Sequence, residues 1–265
     1  MAEDRTAIRG HRAWRITGTS VVALAVVCGG AQTWGLVVQQ QRTSDRSYPV
    51  AATRVHLDTG SAAVQIRPGQ PGRVLVTEHL DWTVRSPRVE TVFDGDVLNV
   101  RMRCNQVVPV VDLGCGAVIE LEVPPTAAVD GGGSSGSIDI KGLSGDVRVA
   151  ATSGAVQLSG LSGPVYARTT SGAVRATGLT SARVEVHATS GAVDLGFAGP
   201  PHAVAVGVTS GEVSLALPQG SGYRFGVDRG SGNGHIDPRL SNPASPDTVQ
   251  VTSTSGALSV NPVDG

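Results

Sequence analysis

Five residue patterns in this chain would do chemistry if the backbone held them correctly. Gly132, Ser134 and Gly136 spell a nucleophile elbow, which exposes a serine on a sharp strand-to-helix turn and needs an acid and a histidine downstream. Gly131, Gly133 and Gly136 spell a dinucleotide loop, which rests a pyrophosphate on a helix N-terminus. Both patterns require a helix next, but Ser137-Ile-Asp-Ile-Lys141 alternates like a strand, so the glycines are read as turn residues. The histidines (His11, His56, His79, His187, His202 and His235) show no His-x-x-x-His pair and no cysteine at metal spacing. Asp139, Asp146 and Asp194 recur in different phases of the surrounding pattern, so they form neither a calcium-binding repeat nor the clustered carboxylates of a glycosidase. No catalytic residue, cofactor site or metal site is therefore assigned, and the chain is read as not an enzyme.

The fifth pattern is the cysteines. Cys104 and Cys115 flank a short Pro- and Val-containing segment and are close enough to form a disulfide if the chain is exported, whereas Cys28 lies in an apolar N-terminal stretch. Net charge is −1 and no basic block stands out, which argues against a nucleic-acid partner. Arginine outnumbers lysine twenty to one (21 in total, Lys141 alone being lysine), a genome-composition bias rather than a binding surface.

The elements that would carry any site are set by one phrase. Thr-Ser-Gly-Ala-Val occurs at 152–156, 170–174 and 189–193, Thr-Ser-Gly-Glu-Val at 209–213, and Thr-Ser-Gly-Ala-Leu at 254–258. A half-step runs between the copies as Leu143-Ser-Gly-Asp-Val147, Leu161-Ser-Gly-Pro-Val165 and the looser Leu179-Thr-Ser-Ala-Arg-Val184. Around these phrases apolar and polar residues alternate: Val147, Val149 and Ala151 oppose Arg148, and Val165, Ala167 and Thr169 oppose Tyr166 and Arg168. Each nine-residue unit is thus about five strand residues and a Ser-Gly turn, and two units make a coil of 18 to 20 residues. One coil cannot bury its own apolar face, but stacked coils bury a continuous one. The repeat glycines Gly136, Gly145, Gly154, Gly163, Gly172, Gly191, Gly211 and Gly256 supply φ > 0 or let neighbouring backbones approach closely. The reading is all-β, a parallel β-solenoid with a sandwich-like or mixed N-terminal portion, and ordinary hairpins in a sandwich as the alternative.

From Ile16 to Val38 no charged residue appears, which at 1.5 Å per residue is about 34 Å of helix, enough to span a bilayer. Arg5, Arg9, Arg12 and Arg15 precede it, so residues 1–15 are placed in the cytoplasm and the rest outside. A signal peptide cleaved after Ala31 and a lipoprotein site at Cys28 are rival readings, and both also export the chain. The organisation that follows is a cytoplasmic N-terminus (1–15), a transmembrane helix (16–38), a polar linker (39–52) and an exported β domain (53–265). Within the last, 53–130 is the N-terminal β portion, 131–217 carries the regular repeats, and 218–265 is an irregular end rich in Pro and Gly.

The Thr-Ser-Gly-Ala-Val and Leu-Ser-Gly-Asp-Val phrases, preceded by Val123-Pro-Pro125, resemble the bacterial adhesin-like family DUF4097 over residues 50–260. The resemblance implies an envelope protein with a β-solenoid-like fold, often behind a transmembrane segment or signal, and no catalytic residues. The expected function is surface interaction by a membrane-anchored, extracytoplasmic solenoid, as an adhesin or envelope scaffold. Its expected partners are the lipid bilayer through 16–38 and an envelope polysaccharide or membrane protein. The alternatives are an envelope-stress sensor acting through a membrane partner and, behind it, a cell-wall carbohydrate-active enzyme.

Overall fold

Wherever Val alternates with a polar residue the chain forms a strand whose Val side turns inward, and the strands stack in register so that like residues form columns. A computed structural model describes residues 40–50, 52–82, 86–104, 115–220 and 222–263. The predicted span 16–38, with its flanks and its rival readings, lies outside the described residues. No helix among the described residues is long and apolar enough to cross a membrane.

The repeats begin with β8 (Ala128–Gly133) and β9 (Ile138–Lys141), joined by a corner, and continue with β10 (Val147–Ala151) and β11 (Val156–Ser159), then β12 (Val165–Thr169) and β13 (Val174–Leu179). In the next two coils the corner itself stays hydrogen-bonded, so β14 (Arg183–Phe197) and β15 (Ala203–Leu217) each run through both sides. All neighbours here are parallel. The result is two columns of apolar side chains, Val129, Val147, Val165, Val184 and Val204 on one side and Ile138, Val156, Val174, Val193 and Val213 on the other, all buried in one core. Leu143, Leu161 and Leu179, the half-step leucines, close the remaining side and are fully buried.

Both ends depart from chain order. At the start, β2 (Arg54–Asp58) and β3 (Ala63–Pro68) lie directly against β8 and β9. Their outer neighbours, also parallel, are β6 (Val97–Arg103) and β7 (Cys115–Val123), which come later in the chain. At the finish, β18 (Thr248–Pro262) pairs along its length with β15, and the earlier β16 (Arg224–Ser231) and β17 (Gly234–Ile236) are pushed outside it. Nine parallel rungs result among the described residues. The N-terminal β portion is therefore mixed, four parallel solenoid strands with antiparallel strands laid on them, which is the second of the two forms expected, and the irregular C-terminal end supplies two further rungs. Antiparallel strands finish the first end: β4 (Val74–Trp82) on β7, β1 (Gln40–Tyr48) on β4, and β5 (Arg88–Asp94) on β6 through the Asp94-Gly95-Asp96 hairpin. Residues 40–48, read above as linker, are thus a strand. Their polar character suits an edge, where charge discourages pairing with another chain.

The corner glycines decide the rung spacing. A Cβ on Gly136, Gly154 or Gly172 would lie 1.7, 2.0 or 2.0 Å from the carbonyl oxygen of the rung before, that of Ala62, Gly136 or Gly154. None of these three has positive φ. Close approach, not turn geometry, is what requires them. Gly160 is the converse case, with φ of 60° and nothing near its Cβ position. A second column is shorter: Gly163 meets the Gly145 carbonyl at 2.1 Å, and Gly145 meets that of Ala127 at 2.2 Å.

Cys104 is disulfide-bonded and sits at the end of β6. The side chain of Cys115, its expected partner, is outside the described residues.

Two predictions follow from these contacts. Gly154→Ala is expected to cost about 3 kcal/mol or more, because backbone must move, whereas Gly160→Ala costs about 1–2 kcal/mol of left-handed strain and Gly160→Asn less; denaturant melts of the three separate the two causes. Peptide mapping without reduction is expected to find Cys104 joined to Cys115, and Cys104→Ser to lower stability by about 3 kcal/mol.

Candidate functional site

Along one corner of the solenoid the outward positions form a groove parallel to the stacking axis. Its floor is the register column Asp58, Gly132, Ala150, Arg168, His187, Gly207 and Thr252, one residue from each of seven successive rungs. Six steps at strand spacing make it about 29 Å long. The small residues Gly132, Ala150 and Gly207 leave hollows, while Arg168 and His187 rise between them. Two adjoining hollows, of about 620 and 420 Å³, meet at Arg168 and Thr170.

The groove wall is the threonine of each Thr-Ser-Gly phrase: Thr152, Thr170, Thr189, Thr209 and Thr254 all line it. Their hydroxyls stand one per rung, a ladder of donors and acceptors at strand spacing. Arg168 is exposed and makes no hydrogen bond or ion pair among the described residues, so its guanidinium faces the groove unsatisfied by protein. Gly207 is explained by its neighbour: a Cβ there would lie 2.8 Å from Nδ1 of His187, so the glycine gives the imidazole its place. The His187 ring lies 6.0 Å from that of Tyr166, and its Nε2 is 2.8 Å from Glu185. His187 and Arg168 in the groove, with the half-buried Tyr166 ring beside them, therefore give a partly aromatic platform next to the threonine hydroxyls, a surface suited to polyhydroxylated ligands.

The residues singled out from the sequence fall as follows. Gly132, Ser134 and Gly136 lie at the β8–β9 corner, where the Ser134 amide donates to the Gly60 carbonyl at 2.6 Å and a strand follows. Gly132 and Ser134 thereby line the groove. Four histidines pair with separate carboxylates, His56 with Asp130 at 2.7 Å, His79 with Glu120 at 3.9 Å, His187 with Glu185 and His202 with Asp247 at 2.8 Å. Among the described residues no three His, Cys, Asp or Glu side chains converge as metal ligands would. His11 and Cys28 lie outside the described residues. Sequence reasoning missed the groove: the Thr was read as part of a turn phrase, and only the stacking of rungs turns five copies into one wall.

Displaced ionisations mark the two ends of the stack. At the C-terminal end the Arg239 guanidinium and backbone hold the Asp237 carboxyl down at about 2, and burial pushes the Tyr223 phenol up while it donates to the Pro218 carbonyl at 3.2 Å. At the N-terminal end a hydrogen bond from Thr53 lowers Asp96. Glu78, only 3% exposed, is raised by burial despite the opposing pull of Arg46 and Arg42.

Residues 131–261 match the family model Toastrack DUF4097, and this part of the chain belongs to that family. No curated protein matches the chain. Among solved structures it is similar to a "putative adhesin" from Parabacteroides distasonis, with 15% identity over 84% of this chain and 97% of that one and a TM-score of 0.52. It is also similar to a "putative lipid binding protein" from the same organism, with 14% identity over 83% and 97% of the two chains and a TM-score of 0.49. The first of these likenesses is one of fold.

Because folding raises the pKa of Glu78 above its ordinary 4.5, its contribution to stability is full below that value and is lost as pH rises through the folded value. Relative to Glu78→Gln, the wild-type chain is expected to gain stability as pH falls from 7 toward 4.5, measured from denaturant midpoints at each pH. A constant difference would show that burial does not dominate at this carboxylate.

Proposed function

We propose that this chain is a membrane-anchored, extracytoplasmic β-solenoid that acts by surface contact rather than catalysis, and that its axial groove holds a linear, hydroxyl-rich polymer of the cell envelope. One observation carries the reading: the repeated threonines and the Tyr166, Arg168 and His187 platform form a continuous polar trough crossing seven rungs. A polymer chain lying along the axis meets a threonine hydroxyl on five of the seven rungs, so modest contacts add along its length. A trough open along its side does not exclude water from a reacting bond, and water exclusion is what a hydrolytic site gains by closing. The adhesin name of the Parabacteroides protein points the same way.

The apolar stretch 16–38 with its preceding arginines supports anchoring with the N-terminus inside and the solenoid outside. Protease shaving of intact cells is expected to remove the solenoid; its survival in whole cells but not in lysates contradicts the exported orientation. Binding is tested with the full chain in nonionic detergent against a panel of purified envelope polysaccharides. Arg168→Ala and Tyr166→Ala are each expected to weaken retention about tenfold, the scale of one good polar or stacking contact. Retention that both changes leave untouched, or no retention by any polysaccharide, overturns the groove assignment.

A further inference from the structure

The first end of the stack carries a separate hollow, a cleft of about 720 Å³ where the apolar interior gives way to charge. On β1 the residues sharing one face with Tyr48, which packs on Phe93 of β5 with ring centroids 5.0 Å apart, are Gln40, Arg42, Ser44 and Arg46, and these four line the cleft. Opposite them on β4 are Trp82, Leu80, Glu78, Val76 and Val74 in register. Positions that elsewhere in the stack hold Val thus hold Arg, laid over a floor of Leu80 and Trp82. Arg88 of β5 lines the other side of the cleft.

The charges do not cancel. Glu78 stands between Arg42 and Arg46 and pairs with Arg46 at 3.1 Å. Arg42 and Arg88 form no ion pair among the described residues. Inward charges on an edge strand deter unwanted pairing, and a single one per strand would serve that purpose. Three guanidiniums from two strands facing one carboxylate over an apolar and indole floor are more than an edge guard requires. They suit an anion with planar or tetrahedral oxygens attached to an apolar body, because guanidinium offers forked donors to phosphate.

The position selects the source of that anion. Gln40 lines the cleft, and the apolar stretch ends at Val38, two residues earlier, which is at most about 7 Å of chain. An anchored chain therefore holds the cleft at headgroup depth, where an indole such as that of Trp82 is also favoured. We infer that the cleft formed by Arg42, Arg46, Arg88 and Trp82 binds the phosphate of an anionic phospholipid of the anchoring membrane, seating the solenoid against the bilayer. The choice of a lipid source rests on the anchored reading above; the anion preference rests on the cleft alone.

The test titrates the full chain in dodecyl maltoside with phosphatidylglycerol, phosphatidylcholine and soluble glycerol phosphate, read by native mass spectrometry. Phosphatidylglycerol is expected to bind saturably and about tenfold more tightly than phosphatidylcholine, the difference one charge-assisted contact makes. Arg42→Gln with Arg88→Gln is expected to abolish that preference, and Glu78→Gln, which removes the competing carboxylate, to strengthen it. Both arginines are exposed, and unchanged circular dichroism would confirm that the fold is kept. Equal binding of the two lipids, or a double variant with the wild-type preference, overturns the proposal. Glycerol phosphate that competes as well as the lipid overturns the lipid source. Carbonate extraction of membranes separates this from the anchoring question: release with retained phosphatidylglycerol preference sinks the anchor and upholds the cleft, and resistance without the preference does the reverse.

Discussion

The structure depends on a carbonyl oxygen occupying the space where a side chain would begin. At the Thr-Ser-Gly corner each rung places its glycine carbonyl about 2 Å from the Cβ position of the next, from Gly136 through Gly154, Gly172, Gly191 and Gly211 to Gly256. A single larger residue in that column would push two rungs apart and break the parallel register on both sides of the corner. With the corner fixed, the valine columns align without further instruction, and a core of small β-branched residues can be filled at rung spacing. The later glycines, Gly191, Gly211 and Gly256, also have positive φ, so there the corner asks for both properties of glycine at once.

A stack built this way has two ends, and each is an open sheet edge. The chain manages both by putting a segment next to the last regular rung that is not its neighbour in sequence. At one end β2 and β3 are held between β8/β9 and β6/β7; at the other β18 is held between β15 and β16/β17. The first and last solenoid segments of the chain are thereby paired on both sides, where they resist fraying. What remains exposed is finished with polar or irregular strands: β1 with its arginines, and β16 with Arg224, Asp228 and Arg229.

The two candidate surfaces arise from the same economy. The groove is what is left where the outward column next to the glycine corner carries Gly132, Ala150 and Gly207, so the threonine hydroxyls stand free as a wall. The cleft is what is left where the apolar interior stops and the inward positions turn to arginine. One surface is long and lined with hydroxyls around a single unpaired guanidinium; the other is short, strongly cationic and floored by an indole. A protein that contacts an envelope polymer along its side and a membrane at its base would need this division.

Much of this was legible in the residues themselves. Period-2 alternation states which face of a strand is buried, and the recurrence of Thr-Ser-Gly states the coil length, because both are local demands of the backbone. The order of rungs at the ends was not, since every Val column looks alike to its neighbours and only the satisfaction of edge hydrogen bonds in three dimensions chooses among them. Nor was the strand at 40–48, whose polar sequence has no inward signature until β4 supplies a partner. Whether a corner glycine serves conformation or close approach was open in the sequence and decided by the packing. The groove and the cleft belong wholly to the tertiary structure: each is made of residues from several rungs or strands, distant along the chain, that are brought side by side by register.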